Sequence, residues 1–290
     1  MNQFEKMSPE KIAKRYGLFR AFRLYGAIVF ILFIGLDLFT IGYSLCLGED
    51  LSYAFDYCKR TALFGVMILL CELWFCLRDV AVRSSLSKIG RACGDYEKSK
   101  RVYEILVKKT KNKKLKNYFR YMLARDCAAL KEYDEAEKVL NEADDKHMQP
   151  NVKHTKYQLL ESIFFSREDY EAFKNIHQKT TEAGKELAGK KTLGWTVECW
   201  EKLFRARNFL IDKDYENAQK AYDETLQLLR QKGYSFLNSF IAEVSFESAK
   251  ISYEMGNTDD AYHKARTAIE LDGSGSFVKE AEELLKTIKE

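Results

Sequence analysis

The chain has 290 residues, 46% of them apolar and 31% charged, with two prolines, 15 glycines and a formal net charge of +4. So few helix breakers favour a mostly helical chain of one large domain or two small ones, and the small charge excess specifies no partner by itself. Seven irregularly spaced cysteines with no Cys-x-x-Cys pair exclude a disulfide framework, and four scattered histidines offer no metal site.

At the N-terminus, Ser8-Pro9-Glu10 reads as a helix start, with Ser8 as cap and Pro9 in the first turn. Ile12, Tyr16 and Phe19 then share one face, away from Lys11, Lys14 and Arg15. Residues 1–23 read as a basic segment, either an amphipathic helix on the inner leaflet or the positive flank of a membrane span. Residues 24–48 contain one charged side chain, Asp37. At ~1.5 Å per residue this run crosses the ~30 Å hydrocarbon layer with some tilt. It is too long for a cleaved signal segment, and no small-residue cleavage site follows it. A second apolar run, 61–77, lies between Lys59-Arg60 and Arg78, contains Glu72 and gives a span over 61–80. The two predict a transmembrane hairpin over 24–82.

Basic residues flank the outer ends of the hairpin, while the loop carries Glu49, Asp50 and Asp56 against Lys59 and Arg60. Both termini are therefore expected in the cytoplasm. Asp37 and Glu72 fall at matched depth, roughly 15–16 Å below the outer surface. Two carboxylates that close cannot both ionise cheaply. They read as a protonated pair, as polar groups joining helices of an oligomer, or as part of a proton or cation pathway.

Beyond residue 83 one phrase recurs. It reads GDYEKSKRVY at Gly94, KEYDEAEKVL at Lys131, EDYEAFKNIH at Glu168, KDYENAQKAY at Lys213 and, more weakly, GNTDDAYHKA at Gly256. The aligned positions are Tyr96, Tyr133, Tyr170, Tyr215 and Thr258, separated by 37, 37, 45 and 43 residues. Three residues later stand Ser99, Ala136, Phe173, Ala218 and Ala261, and nine residues earlier Ser87, Ala124, Glu161, Ala206 and Ala249. Mostly small residues at both places suit a helix, a short turn and a second helix that crosses the first closely. Seven residues after the turn come Tyr103, Leu140, His177, Tyr222 and Ala265 as wedges against the next helix. The third copy departs most, with Glu161, Phe173 and His177.

This pattern resembles the tetratricopeptide repeat. The second copy fits it best, with Ala124, Tyr133, Ala136, Leu140, Ala143 and then Pro150. The resemblance implies an all-α solenoid over 83–290, with a polar-faced capping helix from Phe277 to Ile288. It further implies a concave groove lined by the first helix of each pair, which binds a protein or peptide. Eight residues before each turn position stand Lys88, Arg125, Ser162, Arg207 and Lys250. With Tyr121, Trp200 and Tyr253 nearby, this basic ladder suits an acidic or carboxylate-ending ligand.

Lys108, Lys109, Lys111, Lys113, Lys114 and Lys116 form a basic run, read as a solvated loop, as a contact for anionic lipid or, less favourably, for nucleic acid. No phosphate loop, Gly-x-Ser-x-Gly, His-Glu-x-x-His or nucleophile–base pair is present, so neither an enzyme nor a cofactor is expected. The whole reads as a two-span transmembrane hairpin followed by a tetratricopeptide-like α-solenoid, a membrane-anchored adaptor able to oligomerise through its hairpin. The alternative is an accessory subunit of a transport or secretion complex that uses Asp37 and Glu72.

Overall fold

The computed structural model describes residues 4, 6–47, 59, 66–67, 70–71, 73–74, 86, 89–90, 94–190, 193–233, 238–272 and 277–289. Within the first helix it describes the side chains of 9–17, 28–29, 31–32, 34–39, 41–43 and 45–47. Among these residues the secondary structure is all-α. The chain divides into two compact units, Met1–Lys88 and Ile89–Glu290.

In the first unit, α1 (Pro9–Leu47) is one helix of 39 residues. Its start is as expected: the Lys11 N–H donates to Ser8 Oγ at 3.4 Å. The helix then runs without a break through the boundary expected near residue 23, because nothing between Pro9 and Leu47 breaks it. Ile12, Ala13 and Tyr16 are buried, as is Phe4. The apolar face expected to lie on a leaflet is thus covered by protein. Further along, Ile31, Leu32, Leu38, Phe39, Leu45 and Leu47 are exposed, while Asp37 and Ile41 are half-buried. Among the described residues, no helix is long and apolar enough to cross a membrane. Glu72, Lys88 and most of the second expected span lie outside the described residues.

The second unit is a run of helices, each packed on the next in sequence. They are α2 (Tyr96–Lys109), α3 (Lys113–Ala129), α4 (Tyr133–Asn141), α5 (Pro150–Ser166), α6 (Tyr170–Ala188), α7 (Gly194–Ile211), α8 (Tyr215–Lys232), α9 (Asn238–Glu254), α10 (Thr258–Leu271) and α11 (Val278–Lys289). A short 3-10 turn, Asp145–His147, precedes α5. The pairs α3–α4, α5–α6, α7–α8 and α9–α10 are the second to fifth copies, arranged as in an α-solenoid.

The repeat has a conserved backbone device. Each turn position, from Tyr96 to Thr258, opens a helix. Two residues before it stand Gly94, Lys131, Glu168, Lys213 and Gly256, all left-handed, with φ between 58° and 78°. In the four complete copies the turn closes on the first helix through two backbone bonds of the Schellman type. In the second copy Glu132 N donates to Cys127 O at 2.9 Å and Lys131 N to Ala128 O at 3.0 Å. The same pair recurs from Asp169, Asp214 and Asn257. Asp95, Asp169, Asp214 and Asn257 then cap the following helix through their side chains, each accepting an N–H three residues on. In the third to fifth copies two orphan carbonyls and one orphan N–H are thus satisfied at the turn, which fixes how sharply the chain reverses; in the second, Glu132 makes no side-chain cap.

Burial follows the same period. Ser99, Ala136, Phe173, Ala218 and Ala261 are fully buried, as are Ala124, Glu161, Ala206 and Ala249. The glycine-bearing stretch after the third copy is a helix extension, with α6 running to Ala188. Gly194 opens α7 so close to that end that a Cβ there would meet Ala188 O at 2.6 Å, and only glycine fits.

Candidate partner-binding groove

Two clefts lie along the first helices of the second to fifth copies. The larger, about 430 Å³, is lined by Tyr121 and Arg125 of α3, by Asn151, His154, Thr155, Gln158 and Ser162 of α5, by Trp195, Thr196, Cys199 and Trp200 of α7, and by Phe240 and Glu243 of α9. The smaller, about 220 Å³, shares Arg125, Leu159, Ser162, Phe240 and Glu243 with it, and adds Tyr96 and Tyr133 at one side and Asp272 and Phe277 at the other. The shared lining makes them one groove with two compartments.

Asn151, Thr155, Gln158 and Ser162 are spaced 4, 3 and 4 residues apart, which puts four neutral hydrogen-bonding side chains on one stripe of α5. Trp195, Trp200 and Phe240 supply the apolar part, and the Trp200 and Phe240 rings stack with centroids 6.1 Å apart. His154 is buried, and burial pushes its imidazole down to about 4, so the ring is neutral at ordinary pH.

The basic ladder does not survive as a ladder. Arg125 lines both compartments, but its guanidinium donates to Asp126 Oδ1 at 2.8 and 3.2 Å. Asp126 in turn accepts from Ser99 Oγ. Arg207 is buried and faces inward. It makes a bidentate pair with Glu247 at 2.7 and 3.2 Å, donates to Ser162 Oγ at 3.1 Å, and lies over the rings of Phe165 and Trp200. Glu247 also accepts from the Tyr222 hydroxyl at 2.6 Å. Arg207 therefore ties α5, α7, α8 and α9 together and is buried in the core, with its guanidinium paired there. Lys250 is exposed, with its ammonium 5.1 Å from the Phe246 ring centroid, and neither it nor half-buried Tyr253 lines a cleft. One arginine, already paired, stands against two carboxyls, Glu243 and Asp272, so the groove has no basic excess. Tyr121, Arg125 and Trp200 are the expected groove residues that the structure brings together.

Ser162 stands at the expected ladder position, whereas Asn151, Thr155 and Gln158 of the stripe, with Trp195, Phe240 and Glu243, are the groove residues that the sequence pattern missed. The 4-3-4 spacing on α5 was the available signal. It was obscured because the third copy lacks the small residues by which the other copies are aligned.

The third copy carries a polar cluster built around the buried Glu161. Glu161 accepts the Trp200 indole N–H at 2.5 Å and pairs with His177 Nδ1 at 3.1 Å. His177 Nε2 pairs with Glu201 at 3.3 Å, and Glu201 accepts from Thr181 Oγ1 at 2.9 Å. Burial disfavours the imidazolium, but Glu161 and Glu201 outweigh it and raise His177 to about 9. Burial pushes the Cys127 and Cys199 thiols up to about 12, so both stay protonated. Among the described residues no three His, Cys, Asp or Glu side chains converge as a metal site. Asp37 Oδ1 is buried without a hydrogen-bond partner among the described residues.

No protein-family model and no curated protein matches the sequence.

Proposed function

We propose that the chain is a membrane-anchored adaptor whose tetratricopeptide-like unit holds an extended segment of a partner protein in the groove. The observation that carries this reading is the groove itself: a neutral polar stripe of Asn151, Thr155, Gln158 and Ser162 beside the rings of Trp195, Trp200 and Phe240. Amide and hydroxyl side chains recognise peptide backbone, and aromatic walls take apolar side chains. A groove without a basic excess makes acidic character in the ligand a minor element of recognition. The repeat phrase with its recurrent left-handed turn supports the family resemblance. The apolar run 24–48 in the sequence, with Ile31, Leu32, Leu38 and Phe39 exposed on α1, supports anchorage. The cytoplasmic placing of both termini rests on the basic flanks alone. Cys199, which lines the groove, is held protonated by burial, and the role proposed is binding.

The test is selection of peptides from a display library on the full chain in lipid nanodiscs. The selected peptides should bind a Thr155→Trp variant on the order of tenfold more weakly, because the indole fills the larger compartment. Failure to enrich any peptide, or unchanged binding by the variant, overturns the groove reading.

The unpartnered oxygen of Asp37 favours a second reading, in which α1 meets a polar group of another chain within the bilayer. Asp37→Leu should then reduce co-purification of an oligomer or complex, while leaving peptide capture unchanged.

A further inference from the structure

We propose that the turn between α2 and α3 is a docking surface for an anionic lipid bilayer. Lys108, Lys109, Lys111, Lys113 and Lys114 are all exposed there. No acidic residue occurs between Glu104 and Asp126, so nothing in the surrounding sequence balances them. Among the described residues none of the five forms an ion pair with a carboxylate. The turn comes near Asp144, whose backbone oxygen accepts from the Asn117 side chain at 2.8 Å and whose carboxyl feels the Lys113 charge, but the carboxyls there form their ion pairs elsewhere. Asp144 pairs with His147 at 2.8 Å, and Asp145 with Lys156 at 2.8 Å.

The lysines are also held in place. Thr110 and Leu115 are buried, the Thr110 N–H closes α2 on Leu106 O at 3.0 Å, and Asn112 caps α3 by accepting from the Leu115 N–H at 3.0 Å. Five like charges fixed on one short turn repel each other in isolation. A surface dense in phosphate and carboxylate head groups relieves that repulsion without asking the turn to reorganise.

Lipid fits better than nucleic acid. The five are compact ammonium charges and none is an arginine, which would supply planar phosphate or base contacts. The turn itself, 108–114, offers no aromatic side chain for a base to stack on. The proposal rests on the anchorage argued above only in that an anchored chain has the bilayer at hand.

The experiment is amine footprinting of the full chain in nanodiscs of phosphatidylcholine, alone or mixed with phosphatidylserine. In the anionic discs the five lysines should acetylate more slowly, on the order of fivefold, and high salt should abolish the difference. Lys213, at the opposite, acidic turns, should label equally in both discs. A variant with all five changed Lys→Gln should show the same deuterium exchange at 108–114 in both discs. Equal labelling in the two lipids, or protection by an RNA oligonucleotide and not by phosphatidylserine, overturns the proposal. Anchorage is read separately, as co-elution with the disc. If the chain fails to insert, the footprint is repeated with preformed vesicles of the same compositions. Selective protection then sustains the lysine surface while the anchor reading falls, and its absence removes both.

Discussion

The third and fourth copies of the repeat share one backbone and differ in what fills it. In the fourth, Ala206 and Ala218 lie fully buried in one apolar cluster with Tyr222 and Leu226. In the third, the equivalent positions are Glu161 and Phe173. Phe173 packs between Phe165 and Phe204, at centroid distances of 5.5 and 4.9 Å, and Glu161 is held by Trp200 and His177. Both copies keep the left-handed residue, the Schellman bonds and the aspartate cap. The turn therefore sets the helix pair, and the seam between the helices tolerates either small residues or a fully partnered polar and aromatic substitute. The two copies are also joined, because Arg207 of the fourth donates to Ser162 of the third.

The strongest way to break the comparison is to remove that join. Arg207→Ala leaves the Glu247 carboxylate buried without its cation and should cost about 3–5 kcal/mol, read as a lower urea midpoint. An unchanged midpoint would show that the network contributes nothing to the fold. Next, Ala218→Phe copies the third seam into the fourth, where Leu210 and Glu247 stand at the positions of Phe165 and Phe204. Overpacking should cost about 1–3 kcal/mol or more, so the two seams should prove not interchangeable.

A pH titration separates the copies more gently. His177 has a raised value in the folded state, so its contribution is fully present below its unfolded value of about 6.5 and is lost as pH rises through about 9. Allowing for partial solvent screening, the chain should lose about 1–2 kcal/mol over that window, and a His177→Gln variant should lose less. A parallel slope in the variant would remove His177 from the account. Smallest, and opposite in sign, is glycine at the turns. Glu168→Gly and Lys213→Gly relieve a left-handed φ of 59° and 58°, and each should stabilise the chain by about 0.5–1 kcal/mol. Equal gains in the two copies would sharpen the conclusion that the turn is common to both.

Much of the solenoid was legible. The turn positions, the small residues and the wedges repeat at fixed offsets, because each must meet a neighbour a fixed number of residues away. The groove was legible only in part. Tyr121, Arg125 and Trp200 sit where the offsets place them, but the same offset put Arg207 in the core. Its partner Glu247 is 40 residues away, and no local pattern announces such a pairing. The apolar character of α1 was plain from composition, whereas the covering of Ile12 and Tyr16 was not, since an amphipathic face looks the same whether protein or lipid meets it.

What the sequence determined alone is the helical class, the phase of the repeat and the position of the turn inside each copy, all consequences of short-range backbone and cap chemistry. What tertiary structure decided is the charge of the groove. Exposed lysines and arginines read identically in one dimension, and only the folded chain shows which of them already has a carboxylate within reach.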